Sequence, residues 1–195
     1  MKETTHARLV GGSGGWDTDA PTDALGTVGS APFGAPMRAV DIIRQGGILL
    51  RPKSGSFEEA IRALVDTLIA NQRLPVALRD RAVRAVCDRE GVASTAIVEI
   101  GVSVPHARLA GVAGVVAGLA ASPTALYHAT PGVPISIMVL VLSAPELIGE
   151  HLQTLASVSL LLQSETLRRG LERATDAAAA LRILQGDNDL DQPAQ

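Results

Sequence analysis

Apolar residues recur at helical spacing in two neighbouring stretches of the chain. In the first stretch, Ser56 and Glu59 stand at the spacing of a capping box, and the apolar repeat continues to Ile69. The second stretch starts at Pro75, a residue that suits the first turn of a helix, and stops near Gly91. The pattern therefore predicts two consecutive helices joined by a short turn.

Several other apolar stretches have the pattern of strands. Residues 48–50 form a short apolar run that is followed by turn residues. Alternating β-branched residues predict a strand over 97–104, so His106 is expected just after its end. Residues 111–119 and 135–142 are nearly unbroken aliphatic runs, which is the pattern of strands covered on both faces. These two strands are predicted to lie in the middle of a sheet.

Helical patterns return after Pro145, which ends the last aliphatic run. They cover residues 150–162, 164–172 and 175–184. The order of elements is then strand, two helices, several strands and further helices. This order predicts a single domain of the α/β class, with a central mixed β-sheet flanked by helices on both faces.

The domain is expected to span residues 37–186. Residues 1–36 are rich in Gly, Pro, Ser, Thr and Asp and contain few large apolar side chains, so they cannot bury enough surface to offset their ordering entropy. Residues 187–195 are similarly polar. Both segments are predicted to be disordered or loosely attached tails.

Composition and charge argue against several classes of protein. The net charge is −3, with 17 basic and 20 acidic residues spread along the chain, so no basic patch for nucleic acid is expected. No secretory signal is recognised, and the apolar runs 109–121 and 135–144 are shorter than the roughly 20 residues of a membrane-spanning helix. The single Cys87 cannot form an internal disulfide. A cytoplasmic protein without direct membrane insertion is predicted.

The histidines are the main candidates for chemistry. His6 lies in the predicted tail and His128 in a predicted loop, so both are expected to be solvated. His106 follows Pro105 at a strand end, from which an imidazole can project into a pocket. His151 begins a helix, where the positive end of the helix dipole favours the neutral ring.

Other kinds of site have weak support in the sequence. A zinc site made of His106, His151 and Cys87 is conceivable, but no C-x-x-C or H-x-x-x-H pair is present. The sequence contains neither a G-x-S-x-G elbow nor a phosphate loop. We therefore expect neither a metal ion nor a cofactor.

Four blocks carry a resemblance to a known family. They are DREGVAST (88–95), GVSVPHAR (101–108), PISIMVLVLSAPE (134–146) and EHLQTLA (150–156). In this order and spacing they resemble the type-2 IIA domain, of the fructose and mannitol type, of the bacterial phosphotransferase system. Regulatory IIA proteins related to nitrogen metabolism belong to the same type. The similarity covers about residues 37–186.

The resemblance implies a role for each matching residue. His106 would be the phosphorylated histidine, which accepts phosphate from the carrier HPr and passes it to a cysteine of a IIB partner or signals to regulatory targets. His151 would be the second active-site histidine and Arg89 an active-site arginine, while Ser94 and Thr95 would bind phosphate. Such donors stabilise a phosphoryl group in flight because its charge is spread over its oxygens. The chain would then be a transferase component of sugar transport or its regulation.

One segment departs from the family pattern. Residues 96–101 replace a glycine-rich segment, are one residue longer and contain Glu99, whose charge would repel a phosphohistidine. Two hypotheses therefore stay open from the sequence. The first is a phosphohistidine carrier or regulator of the phosphotransferase system, and the second is a degenerate IIA-like interaction module that no longer transfers phosphate.

Overall fold

The computed structural model describes residues 39–186, and the predicted tails with His6 lie outside these residues. Six helices occur in the described part: α1 (Ala39–Gly46), α2 (Phe57–Ala70), α3 (Arg79–Val92), α4 (Ile148–Leu162), α5 (Glu165–Arg173) and α6 (Ala177–Gln185). The strands are β1 (Ile48–Leu50), β2 (Ala96–Ile97), β3 (Val102–Ser103), β4 (His106–Arg108), β5 (Val115–Ala121), β6 (Tyr127–Thr130), β7 (Val133–Ile135) and β8 (Ile137–Ser143). Short 3-10 helices occupy Val76–Leu78 and Val98–Ile100.

Six strands form one mixed sheet in the order β1-β5-β8-β3-β2, and β4 pairs with β8 on the same side as β3. The pair β5 and β8 is antiparallel, whereas β1 runs parallel to β5, and β3 and β4 run parallel to β8. Strands β6 and β7 make a separate antiparallel hairpin. The predicted α/β architecture, a mixed sheet with helices on both faces, is confirmed.

Strand β8 separates two apolar cores because its side chains alternate between the faces of the sheet. Met138, Leu140 and Leu142 pack with helices α2 and α3. Ile137, Val139 and Val141 pack with α1, α4, α5 and α6 on the other face. All seven residues of the strand are buried, which explains why its sequence is an unbroken aliphatic run.

Short polar side chains cap the N-termini of three helices, as the sequence predicts for α2. The Ser56 hydroxyl accepts the backbone N–H of Glu59, and the Glu59 carboxylate accepts the N–H of Gly55 rather than that of the cap residue. Ser164 and Asp176 cap α5 and α6 in the same way, each accepting a backbone N–H three residues later.

Helix α1 was not predicted, and it lies very close to the sheet. A Cβ atom at Gly46, its last residue, would stand only 1.8 Å from the carbonyl oxygen of Ala117 in β5. The next residue, Gly47, has a φ of 106°, which is accessible to glycine and turns the chain into β1. The close approach of α1 to β5 therefore depends on a residue without a side chain.

Three further expectations needed correction. The predicted strand 97–104 is interrupted, because the 3-10 helix Val98–Ile100 lies between the short strands β2 and β3. The predicted strand 111–119 begins only at Val115, because Gly111 and Gly114 adopt positive φ angles in the preceding turn. His128, expected in a loop, lies in β6, although its side chain is exposed as predicted. The hairpin places Gly132 in its turn and Pro134 in the short strand β7.

A proline separates β3 from β4 and sets the position of His106. Both strands keep one register with β8, since Ser103 pairs with Met138 and His106 with Val141. Pro105 has no N–H to donate, but its carbonyl accepts the N–H of Val141. His106 is thus the first residue of β4 rather than a residue after a strand.

Candidate functional site

Two of the predicted site residues face each other across the edge of the sheet. His106 lies on β4, and His151 lies in the first turn of α4. Their imidazole rings are 5.5 Å apart between centroids, with an angle of 61° between the ring planes. The fold therefore brings together two histidines that are 45 positions apart in the sequence.

His106 is held by a carbonyl group close to it in the chain. Its Nδ1 atom lies 3.0 Å from the backbone oxygen of Val104. Because a carbonyl oxygen only accepts hydrogen bonds, Nδ1 carries the proton and donates. The other ring nitrogen, Nε2, then has a lone pair in the neutral ring and is the ring atom that can act as a nucleophile.

His151 occupies a drier environment. Its side chain is only 4% exposed, and its Nδ1 atom lies 2.8 Å from the hydroxyl oxygen of Ser143. Burial lowers the pKa of His151 below its usual 6.5, and the nearby His106 and Arg108 lower the pKa further. The ring is therefore neutral near pH 7, as the sequence predicts for a histidine in the first turn of a helix.

An open cavity of about 730 Å³ lies beside the two imidazoles. Ten residues line it: Ala85, Arg89, His106, Ala107, Arg108, Pro145, Ile148, His151, Leu152 and Leu155. They come from α3, from β4, from α4 and, in the case of Pro145, from the loop between β8 and α4. The polar groups among them are two guanidinium groups and two imidazoles, with no acidic side chain, so the cavity suits an anion.

Arg89 lies on the α3 wall of this cavity, one turn after Ala85. One guanidinium nitrogen donates to the carbonyl oxygen of Ala93 at 3.1 Å, just after the end of the helix. The side chain is exposed. Arg89 is thus anchored at one nitrogen, and within residues 39–186 its other N–H groups have no hydrogen-bond partner and can bind oxygen atoms of a ligand.

Ser94 and Thr95 lie near this wall but are not among the residues that line the cavity. The Ser94 hydroxyl donates to Oε1 of Glu90 at 2.7 Å, and the Thr95 hydroxyl donates to Oε2 at 2.6 Å. The backbone N–H of Thr95 also donates to this carboxylate. Their predicted role in binding phosphate stays a prediction, because Glu90 takes both hydroxyl groups in this conformation.

The segment that departs from the family pattern turns away from the cavity. Glu99 lies in the 3-10 helix Val98–Ile100, and its side chain is exposed and not among the cavity-lining groups. Gly101 ends this helix with a φ of 66°, a left-handed conformation that leads the chain back into β3. The carboxylate therefore does not place its charge in the cavity.

Comparison with known proteins identifies the family. Residues 41–186 match the family model of the phosphoenolpyruvate-dependent sugar phosphotransferase system, EIIA 2. The chain belongs to this family. Membership supports a phosphocarrier or regulatory role for this EIIA 2 domain, and no curated protein matches the chain.

Solved structures share the EIIA 2 fold. The nitrogen regulatory protein IIA-Ntr from Neisseria meningitidis is 22% identical, with a TM-score of 0.59 over 72% of this chain and 93% of that chain. IIA mannitol from Escherichia coli is 21% identical, with a TM-score of 0.59 over 72% of this chain and 96% of that chain. In a complex of Escherichia coli IIA mannitol with phosphorylated IIB mannitol, the matching chain is 21% identical, with a TM-score of 0.58 over 73% of this chain and 95% of that chain. At these identities the likeness establishes the fold.

Two polar residues of the EIIA 2 site were not singled out from the sequence. Arg108 is two positions after His106 in β4, and this period places both side chains on one face of the strand, so the spacing could have indicated it. Ser143 is a lone hydroxyl at the end of an aliphatic strand. Its sequence context gives no sign of the contact with His151.

Neither a metal centre nor a membrane-spanning helix is found in the described part of the EIIA 2 chain. Over residues 39–186 no group of three or more His, Cys, Asp and Glu side chains is placed to hold a metal ion. The conceivable zinc set of His106, His151 and Cys87 therefore does not form there. The helices within the same range are too short or too polar to cross a membrane.

The buried His151 predicts a pH-dependent stability. Its folded pKa lies below the unfolded value of 6.5, so below about pH 6.5 the unfolded chain binds a proton that the folded chain resists. The free energy of unfolding, measured by urea denaturation, is expected to fall as the pH drops from about 7.5 to about 5.5. His151→Asn should lose part of this decrease, whereas the exposed control His128→Asn should keep it all. Equal decreases in all three proteins would contradict the assignment.

Proposed function

We propose that this EIIA 2 domain is a phosphohistidine carrier of the phosphotransferase system, with His106 as the residue that is phosphorylated. The donor is an HPr-like phosphocarrier. The phosphoryl group then passes to a cysteine of a IIB domain, or the phosphate state of His106 signals to a regulatory target. The proposal goes beyond family membership, because it assigns the chemistry to one atom of this chain.

The cavity beside His106 is the observation that carries the proposal. It combines a nucleophilic Nε2 atom, a second imidazole and two guanidinium groups, and none of its ten lining residues is acidic. A phosphoryl group in transfer carries negative charge on three oxygens, and fixed donors stabilise that charge without a large reorganisation. Arg89 and Arg108 supply positive charge, and His151 adds a neutral donor.

The transfer needs no metal ligand and no proton loss from His106. The lone pair on Nε2 attacks phosphorus, a P–N bond forms, and the P–N bond to the donor imidazole breaks, with its electron pair returning to the donor nitrogen. The proton on Nδ1 stays in place against the Val104 carbonyl. In the second step a thiolate sulfur attacks phosphorus, and the electron pair of the P–N bond returns to Nε2.

Ser94 and Thr95 join the phosphate site only after a local change. Both hydroxyls are bound to the Glu90 carboxylate. They become phosphate ligands when they exchange this carboxylate for phosphoryl oxygens. Until then Glu90 holds the loop that follows α3, and with it the position of Arg89.

The rim of the cavity supplies a surface for a partner protein. Ile148 and Leu152 lie there with 52% and 59% of their surface exposed, beside the guanidinium groups. A partner protein that covers these side chains would remove their apolar surface from water, which favours binding. The Escherichia coli relative was solved in complex with phosphorylated IIB mannitol, and we propose that this chain presents the same face to its donor and acceptor.

The experiment is phosphate transfer to the purified full chain from phosphoenolpyruvate through enzyme I and HPr. We expect one phosphate per chain, stable in alkali and labile in acid, located on Nε2 of His106 by phosphorus NMR. Loss of the label on adding a reduced IIB protein would identify the acceptor. As a control, the same carrier must phosphorylate another IIA protein. If this chain is folded and still takes no phosphate from that active carrier, the result would support the degenerate interaction module instead.

A further inference from the structure

A buried hydroxyl lies behind the second histidine of the site. Ser143 is the last residue of β8 and is 0% exposed. It pairs with Arg108 of β4 and with Val115 of β5, so its backbone is held on both sides. The alternation of β8 places its side chain on the face that carries Val141 and on which α4 packs.

The Ser143 hydroxyl has one hydrogen-bond partner among residues 39–186, the Nδ1 atom of His151 at 2.8 Å. A hydroxyl has one proton to donate, and a buried donor without an acceptor is costly. If Nδ1 carried the ring proton, the serine proton would have no acceptor there. The arrangement that satisfies the buried donor has Ser143 donating to an unprotonated Nδ1.

The remaining ring proton must then be on Nε2. This nitrogen makes no hydrogen bond to the described part of the protein, and His151 is one of the residues that line the cavity. A charged ring, with protons on both nitrogens, is disfavoured by the burial of His151 and by the nearby Arg108.

We propose that Ser143 is a positioning residue that holds His151 in its neutral Nε2–H form and turns that N–H toward the cavity beside His106. The two imidazoles then hold opposite tautomers. His106 has its proton on Nδ1 and a lone pair on Nε2, whereas His151 has its proton on Nε2. One ring attacks phosphorus, and the other donates to a phosphoryl oxygen.

The catalytic consequence rests on the proposed function, but the tautomer does not. A neutral donor stabilises the transferring group without adding a full positive charge, which would also stabilise the phosphorylated state and slow its release. Ser143 touches neither phosphate nor the partner protein and acts through His151. Its effect should therefore appear in the rate of transfer and not in the affinity for the donor carrier.

The first test is nitrogen NMR of the histidine side chains in the natural full-length protein near pH 7.5. We expect long-range couplings that assign the neutral Nε2–H tautomer to His151 and the Nδ1–H tautomer to His106. An Nδ1–H or doubly protonated His151 overturns the proposal. This measurement needs neither phosphate nor a partner protein.

The second test compares Ser143→Ala and Ser143→Thr with a control, Ser122→Ala, which removes another buried hydroxyl far from the cavity. In Ser143→Ala we expect the Nδ1 signal of His151 to move to the position of an unbonded acceptor. Single-turnover transfer from HPr should fall about ten-fold, the size expected for one lost hydrogen bond, with an unchanged KM for the carrier. Ser143→Thr should restore the Nδ1 signal of His151 and the transfer rate, and Ser122→Ala should change neither the signal nor the rate.

The outcomes separate this proposal from the proposed function. An unchanged Nδ1 signal and an unchanged transfer rate in Ser143→Ala overturn the role of Ser143. If neither the natural protein nor any variant accepts phosphate, but the Nδ1 signals of His151 behave as expected, the proposed carrier function is wrong and the positioning role of Ser143 is supported. If Ser143→Thr does not fold, the tautomer in the natural protein still decides.

Discussion

We expect the replacement of His106 by alanine to abolish the uptake of phosphate from HPr. In the proposed function, Nε2 of His106 is the nucleophile of the cavity, and the 3.0 Å hydrogen bond between Nδ1 and the Val104 carbonyl orients the ring. We do not expect His151 to replace it, because in the tautomer proposed above its Nε2 carries the ring proton and has no lone pair for attack. We expect label on the variant to fall to the background of a reaction without HPr.

The natural protein and His128→Ala serve as controls for this result. His128 is an exposed histidine on the hairpin and should leave the label unchanged. The His106 variant loses one hydrogen bond of the side chain, so its thermal unfolding should stay close to that of the natural protein. Stoichiometric label on the alanine variant, or label transferred to His151, would show that the nucleophile is assigned wrongly.

Substitution of Gly46 by alanine should strongly destabilise the protein. The added methyl carbon would stand 1.8 Å from the Ala117 carbonyl oxygen and 2.9 Å from a methyl group of Leu68. The first of these is a backbone atom of β5, a strand paired on one side with β1 and on the other with β8, so it cannot move aside. We expect the free energy of unfolding to fall by at least about 3 kcal/mol in urea denaturation.

Gly91→Ala is the matched control for this prediction. Gly91 lies in α3, and a Cβ atom there meets nothing within 4 Å. Alanine is the better helix former, so this variant should be equally stable or gain up to about 1 kcal/mol. A Gly46 variant with the same urea midpoint as the Gly91 variant would mean that α1 does not lie this close to β5.

The large elements of the fold could be predicted because their sequence signals are local. Helix α2 has a serine cap and an unbroken apolar repeat, and β8 is an aliphatic run buried on both faces. Helix α1 was missed since it has only eight residues, follows a Gly- and Pro-rich segment and is stabilised by packing against β5. Tertiary contact, not local preference, forms that helix.

The candidate site was predictable as a set of residue types but not as a geometry. The resemblance of the motif blocks pointed to His106, His151 and Arg89, and the fold gathers all three around one cavity. The sequence does not show which acceptor receives the hydrogen bond of a serine or threonine hydroxyl. The capture of the Ser94 and Thr95 hydroxyls by Glu90 depends on the turn after α3, which no periodicity encodes.

The direction of Glu99 is a second example of this limit. Its charge raised the question whether the altered segment 96–101 is compatible with a phosphohistidine. The answer depends on the 3-10 helix Val98–Ile100 and on the left-handed Gly101, which together expose the carboxylate outside the cavity. Backbone geometry decides here, while charge alone would have suggested repulsion.

The three walls of the cavity lie in α3, β4 and α4, and β8, which pairs with β4 and is followed by α4, provides the frame on which they meet. Long-range strand pairing is the slow part of folding for such topologies. A refolding chain can therefore have most of its helices before the proposed phosphate site is formed. The time at which His106 becomes reactive toward HPr would measure the closure of the sheet, and the final labelled fraction would count the correctly folded molecules in a preparation.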